Sequence, residues 1–528
     1  MSHHNKIIKI LFSATLYLMI SGVSQAGTWS WLGSDKVVVV GVNSDPGHFN
    51  PAITTGKNVH VVADSMFNGL VALDRKLSPI PDLAESWTVD KDSKVYTFKL
   101  VQNALWHDGT PFTSADVKFT FENILLKYHS RTKSGLGSVI ESIDTPDAHT
   151  VVFRMKNPYG PLLQRLDVTE APILPKHIFL TGGDPNKHSA NLKPIGTGPF
   201  MLDSYKRGDT ITLKRNPNYF KPGLPKLDRL VFRVIPDSSS RLIAMEKGEI
   251  DLLSRIPGKD IARLQKKGGF TLDGSSTGPG GGNCIVSWTF NLDNKNLKNN
   301  KVRKAIAHAT DRARIVDQVL FGWGKVPKAP ISSAITWAHS PGSLAEYDYN
   351  TSKAIELLES AGFTKNSDGI RLELDVVHFP FLGKYAEVLK QDMIKVGIDL
   401  VSRPLDRAAA ISAIFKQRKF DTNIIPYCNG LDPDIGVKRM YVTSNIKPIP
   451  FSNGAGYSNP KIDELFNLAA ETNDLNIRSK HYKDIQQILG QELPYWWLAE
   501  WTFVTGYKDS LKDFRVWTGQ FAEYADYK

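Results

Sequence analysis

The sequence predicts an α/β protein whose two halves differ in texture, on three observations. Up to Gly278, short β-branched and aromatic runs separated by turn residues dominate; beyond it, amphipathic helical repeats alternate with strand-like runs. The chain has 528 residues, 41% hydrophobic and 23% charged, a globular composition that excludes disordered, collagen-like and coiled-coil chains. At the usual domain size that length holds about two to four domains with sizeable cores.

The elements follow in order. Lys6 and Lys9 form a positive start, Ile10 to Val23 is mostly apolar, and Ser24-Gln25-Ala26 offers small residues for a signal peptidase. Residues 1–26 therefore read as a cleaved signal peptide, since a membrane span needs about 20 apolar residues. No cysteine lies near the cleavage point for a lipid anchor, so the mature chain is expected to begin near Gly27 and to be free outside the cytoplasm. Val37-Val38-Val39-Val40 reads as a buried strand that leaves through the turn residues Asn43-Ser44-Asp45-Pro46-Gly47. Two strand-like runs between Trp87 and Val101 flank Asp90-Lys91-Asp92-Ser93, a hairpin signal. Thr113-Ser114-Ala115-Asp116 offers a capping box, and Val117, Phe121, Ile124 and Leu125 share one helical face. Short strands are expected at 150–155, 200–205, 210–214 and 230–235.

After Gly278-Pro279-Gly280-Gly281-Gly282, helical periodicity covers 302–321, 352–361, 384–396, 461–471 and 477–489. Gly362 and Gly397 end two of these runs, as left-handed C-caps do. Strand-like stretches fall at 372–377, 398–401 and 422–426, and aromatic strand character returns at 495–504. With no repeat and no low-complexity linker, the domains are expected to interleave.

Charge and motifs narrow the chemistry. Cleavage removes two lysines and no acid, which takes the formal charge from +11 to about +9. The basic residues are scattered, and the densest stretch, Lys295 to Arg314, has the spacing of a solvated helix face, so no nucleic-acid partner is expected. The surplus charge weakly favours an anionic ligand or surface. Two cysteines, Cys284 and Cys428, exclude a disulfide-rich scaffold; an oxidising compartment allows them to pair, and two separate buried thiols fit equally. No GxSxG, HExxH, Walker A or EF-hand pattern is present, and the glycine run lacks the context of a dinucleotide loop. The dispersed histidines offer no metal cluster, and neither metal nor cofactor is expected.

What remains is a polar and aromatic set at loop positions. Tyr427-Cys428-Asn429-Gly430-Leu431-Asp432-Pro433-Asp434 follows a strand-like run, and Trp496, Trp497, Glu500 and Trp501 lie near the C-terminus. Aromatic faces with a few carboxylates and amides suit a small polar ligand, although core packing and Asx turns use the same residues.

Leu83-Ala84-Glu85-Ser86-Trp87, Tyr96-Thr97-Phe98-Lys99-Leu100 and Trp106-His107-Asp108-Gly109-Thr110-Pro111-Phe112 through Val117 together resemble the signature of the family 5 extracellular solute-binding proteins. These are the dipeptide, oligopeptide, nickel and opine receptors of bacterial ABC importers. Gly196-Thr197-Gly198-Pro199-Phe200, Phe290-Asn291, Val302-Arg303-Lys304-Ala305-Ile306 and Asp311-Arg312 match in the same order, from Val37 to about Lys512. The resemblance implies a two-lobed Venus-flytrap (type II) periplasmic binding protein with an extra domain inserted in the first lobe. The first lobe would comprise 27–74, 193–288 and 498–528, the extra domain 75–192 and the second lobe 289–497.

The same resemblance implies a monomer that holds a small molecule or peptide between closing lobes. It would deliver this ligand to an inner-membrane ABC permease whose ATPase subunits supply the energy. Family members that bind peptides pair an acidic residue with the ligand's amino group; Cys428 stands at that position, so either Asp432 takes the role or no free α-amine is anchored. The expected ligand contacts are Asp45 from the first lobe, Tyr427, Asn429, Asp432 and Asp434 from the second, and Trp288 and Trp501 near the crossings. Arg439 is a candidate for a ligand carboxylate or an inter-lobe contact. Competing readings are a secreted hydrolase, a holdase-like chaperone and a nickel-chelate receptor; the last lacks clustered imidazoles or thiolates.

Overall fold

Val37–Val42 is the hub of the first sheet, because a β-branched run can bury alternate side chains on both faces. It pairs in parallel with Arg229–Val234 on one side and Leu252–Ile256 on the other. Antiparallel strands complete seven in the order Phe270–Asp273, Val504–Lys508, Leu252–Ile256, Val37–Val42, Arg229–Val234, Thr210–Arg215 and Phe200–Lys206. The computed structural model describes residues 35–74, 77–181, 183–274, 283–515 and 519–528, and Lys36–Lys528 forms one unit. The expected signal peptide and the glycine run 278–282 lie outside the described residues.

The second sheet has six strands: Gly324–Lys325, Tyr495–Trp501, Cys284–Phe290, Thr422–Cys428, Leu372–His378 and Ile398–Pro404. Cys284–Phe290 is antiparallel to both its neighbours, whereas Leu372–His378 is parallel to both of its own. Helices Asn300–Ala309, Arg312–Leu320, Thr351–Ser360, Gly383–Met393, Pro460–Ala470 and Leu475–Glu492 belong to the same half of the chain. A third, antiparallel sheet joins Ala84–Val89, Val95–Leu100, Thr150–Met155 and Ile140–Asp147. One hydrophobic core serves the second sheet with its helices, and another runs continuously from the first sheet into the third. The α/β class is thus as expected. Both strands flanking the junction, Cys284–Phe290 and Tyr495–Trp501, lie wholly in the second sheet, so the chain changes sheets between Asp273 and Cys284 and between Trp501 and Val504.

Local chemistry explains the boundaries. The Thr113–Asp116 capping box forms, with the Thr113 N–H donating to Asp116 Oδ2 at 2.9 Å, and Val117, Phe121, Ile124 and Leu125 are all buried. Gly362 and Gly397 take positive φ of 88° and 79° where their helices stop. The periodic run 302–321 is two helices, not one: Thr310 turns the chain out, and the Asp311 carboxylate caps the second helix by accepting the Arg314 N–H at 2.9 Å. The aromatic run expected at 495–504 also divides, since Val504 begins a strand of the other sheet.

Candidate functional site

A cavity of about 260 Å³ lies where the helix Lys57–Ala63 faces the end of the strand Thr422–Cys428. Lys57, His60 and Asp64 line one side with Arg131 and Glu170; Asn283, Cys428, Gly430 and Leu431 line the other. The two walls come from different sheets' surroundings, so a molecule held here touches both. Cavities at the carboxyl ends of sheet strands are a common ligand location in α/β folds.

The first wall is a network of charges. His60 Nδ1 lies 2.8 Å from Asp64 Oδ1, the i, i+4 spacing of one helix face. Burial opposes the charge on His60, but Asp64 and the Thr54 carbonyl outweigh it and raise its pKa. Arg131 Nε sits 3.0 Å from Glu170, and its Nη2 donates to the Thr169 carbonyl at 3.4 Å. Burial raises Glu170, yet Arg131, His129 and Arg165 hold its carboxyl below the usual range. Burial, together with the charges of Arg255 and Arg131, brings Lys57 down to about 7.

The second wall is stapled. Cys284 and Cys428 are opposite one another in the antiparallel register and form a disulfide, with Cα atoms 3.7 Å apart. The alternative of two free thiols is thereby corrected: adjacency on neighbouring strands brings the sulfurs together. Cys428 then has no ionisable thiol to offer a cationic group. The Asn283 side chain donates to the Gly430 carbonyl, and the Asn429 N–H donates to Asn283 O at 3.0 Å, which fixes the loop after the strand.

The expected ligand residues separate into two groups. Tyr427, Asn429, Asp432 and Asp434 lie beside the cavity without lining it, and the Asn429 side-chain oxygen and the two carboxylates are committed to the protein. Asn429 Oδ1 accepts the Ser332 N–H at 2.6 Å. Asp432 is 0% exposed and forms a two-pronged pair with the 1% exposed Arg478, at 2.7 and 2.8 Å, besides capping Asp434 N at 2.8 Å. Asp432 thus already pairs with a cation of the protein itself, and it does not line the cavity. Asp434 accepts the Tyr159 hydroxyl at 2.8 Å and pairs with Arg165 at 3.4 Å and Lys438 at 3.2 Å. Tyr427 is buried edge-on to Phe451 and Tyr495.

Asp45, Trp288 and Trp501 lie elsewhere and do not line the cavity. Asp45 braces its own turn, accepting the Tyr205 hydroxyl at 2.6 Å, Gly47 N at 2.7 Å and Gly208 N at 2.6 Å. Trp288 is buried in the second core against Phe290, as strand alternation between two covered faces requires. Trp501 donates its indole N–H to the Tyr385 hydroxyl at 2.8 Å. Arg439 donates to the carbonyls of Gly436 at 3.1 Å and Cys428 at 3.3 Å, behind the second wall. The lining residues that sequence reasoning missed, Lys57, His60, Asp64, Arg131 and Glu170, come from three separated segments. Only the His60–Asp64 spacing was a local signal.

Among the described residues no group of three His, Cys, Asp or Glu side chains is arranged to hold a metal, and no helix is long and apolar enough to cross a membrane.

Residues 78–447 match the family model described as bacterial extracellular solute-binding proteins, family 5 middle. A putative ABC transporter peptide-binding protein of Brucella ovis is 32% identical over 96% of this chain and 94% of its own length. The glutathione-binding protein GsiB of Escherichia coli is 27% identical over 96% of this chain and 98% of its own. The solved structure of HbpA2 from Haemophilus parasuis superposes with a TM-score of 0.81 at 25% identity, covering 93% of this chain and 100% of that one. The family model covers most of the chain and the Brucella relative matches it over nearly its whole length: the chain belongs to the family 5 bacterial extracellular solute-binding proteins.

Proposed function

We propose that this protein is the receptor of an ABC importer that captures a peptide, an opine or a similar small polar solute in the cavity beside Lys57 and Cys428. The single observation that carries this reading is the cavity's construction, with charged side chains of one half facing the stapled strand end of the other. A ligand that touches both walls stabilises the closed arrangement over the open one, and only that difference in affinity drives closure. Converting a 1:99 population to 99:1 needs about 5.5 kcal/mol.

The lobes we propose follow the sequence reading, with the extra domain at 75–192 and the first lobe formed by 27–74, the segment from 193 and the C-terminus. We place the change of lobe before Cys284 and after Trp501 instead of at 288 and 498, because those strands pair entirely in the second sheet. Tyr159 and Arg165, from the region proposed as the extra domain, reach Asp434 of the second half, which supports reading this arrangement as the closed one. No bond is made or broken in this function. The protein works in the periplasm after removal of residues 1–26, as a monomer that meets the membrane permease.

Native mass spectrometry of the exported protein tests the reading. A discrete small molecule should accompany the folded protein, leave on unfolding and return when added back. Turnover of that molecule would instead place the chain among hydrolases.

A further inference from the structure

The contact between the region 75–192 and the second half is made of parts that are each satisfied without the other. Arg165 Nε donates to the Tyr159 hydroxyl at 2.7 Å, both within the region 75–192. Lys438 Nζ lies 3.2 Å from Asp434, both within the second half. Across the junction the Tyr159 hydroxyl donates to Asp434 Oδ2 at 2.8 Å, and Arg165 Nη2 reaches the same oxygen at 3.4 Å. The Arg165 and Asp434 side chains are only 7% and 5% exposed here. Parting them orphans neither charge, since Asp434 keeps Lys438, Arg165 keeps Tyr159, and both regain water. Asp432 and Arg478 differ, because both belong to the second half and closure does not separate them.

The backbones also meet beside this pair. A Cβ on Gly160 would lie 1.7 Å from the Thr472 carbonyl oxygen, which leaves no room for a methyl group. The φ of Gly160 lies outside the left-handed range, so it is the close approach, and not the backbone conformation, that demands glycine. Thr472 sits between the helices Pro460–Ala470 and Leu475–Glu492 of the second half. Tyr159, Gly160 and Arg165 do not line the cavity, but Thr169 and Glu170, shortly after them in the chain, do. Burial raises the Glu170 carboxyl, whereas Arg131, His129 and then Arg165 lower it, so the contact and the cavity wall share a charged side chain.

Resting on the receptor reading above, we propose that Tyr159, Gly160 and Arg165 form a latch that seats on Asp434 and Thr472 when the halves close, and that this contact, made outside the cavity, sets how long a solute is retained. They are positioning residues. The latch adds affinity of protein for protein to the closed arrangement alone, which slows reopening without adding a contact to the solute. Its effect falls on release and not on capture, and it is the same for every solute the cavity accepts.

Stopped-flow fluorescence of the exported protein separates capture from release, with the co-purified molecule as probe or, if the protein emerges bare, with glutathione and Ala-Ala. Gly160→Ala should speed release about tenfold or more and Tyr159→Phe about three- to tenfold, with association rates changed less than about twofold. The unliganded melting curves of both variants should stay in place. In the unaltered protein, amides at 162–165 and 472–474 should exchange with solvent more slowly with probe than without, which decides the matter if Gly160→Ala does not fold. Equal exchange with and without probe, or a lowered unliganded melting curve with unchanged release, would show a permanent contact; either overturns the latch and leaves the receptor reading intact. If neither probe binds and no molecule co-purifies, the receptor reading falls, and this inference with it.

Discussion

Asp432 shows at the scale of one residue how a loop carboxylate is claimed before any ligand arrives. Both its oxygens face Arg478, and the pair is buried on both sides. Removing one member leaves the other charge desolvated and unpaired, so Arg478→Met should destabilise the fold by about 3–5 kcal/mol in denaturant titration. Replacing both members by apolar residues should restore much of this, because the penalty comes from the orphaned charge. Asp434 gives a pH signature. Burial raises its pKa, but Lys438, Arg165 and the Tyr159 hydroxyl outweigh that and hold it at about 2. Its folded value is depressed below the ordinary 3.8, so its contribution is complete above 3.8 and is lost as pH falls from there towards 2.

His107 behaves oppositely in charge but loses stability in the same direction. Its ring is stapled between the Gly196 N–H at 3.1 Å and the Gly198 carbonyl at 3.0 Å, and burial lowers it to about 4. The unfolded chain takes up this proton near 6.5, so stability falls as pH drops from 6.5 through 4. Unfolding curves from pH 7 to pH 2 should therefore fall in two stages, the upper one shared by His107 with the similarly lowered His129, and the lower one reduced in Asp434→Asn. The commitments of Asp432 and Asp434 were not legible, because Arg478, Arg165 and Tyr159 are distant in sequence and only the fold brings them together.

At the scale of elements, the strands Cys284–Phe290 and Thr422–Cys428 are joined twice, by their ladder and by the disulfide. The bridge closes a loop with a sequence separation of 144 residues, which restricts the unfolded chain. Cys284→Ser with Cys428→Ser should cost about 2–4 kcal/mol of unfolding free energy. An unchanged transition would show that the ladder alone fixes this edge of the cavity. Most elements were legible, since hydrophobic periodicity and caps are local. The break at Thr310–Asp311 was hidden because apolar periodicity continues through it, although Asp311 was present as the cap. Phe270–Asp273 was not legible: it pairs with Val504–Lys508, which is far away in sequence.

At the scale of the whole molecule, two large hydrophobic cores and a smaller third one beside the first sheet divide the chain, and the extra region shares its core with the first sheet. The buried contact of Tyr159 and Arg165 with Asp434 ties that region to the second half. The closure proposed above would therefore engage the region 75–192 as well as the two sheets. Two-lobed architecture was legible as a resemblance because its motifs are contiguous. The cavity was not, because its walls are assembled from helix, loop and strand end far apart along the chain.

The central claim is that a solute holds the two halves together. Small-angle X-ray scattering of the exported protein, stripped of bound material and then saturated with the co-purified solute, tests it most directly. The account predicts a smaller radius of gyration with solute than without, reversed when the solute is removed. An unchanged radius at saturating, calorimetrically verified binding would contradict it.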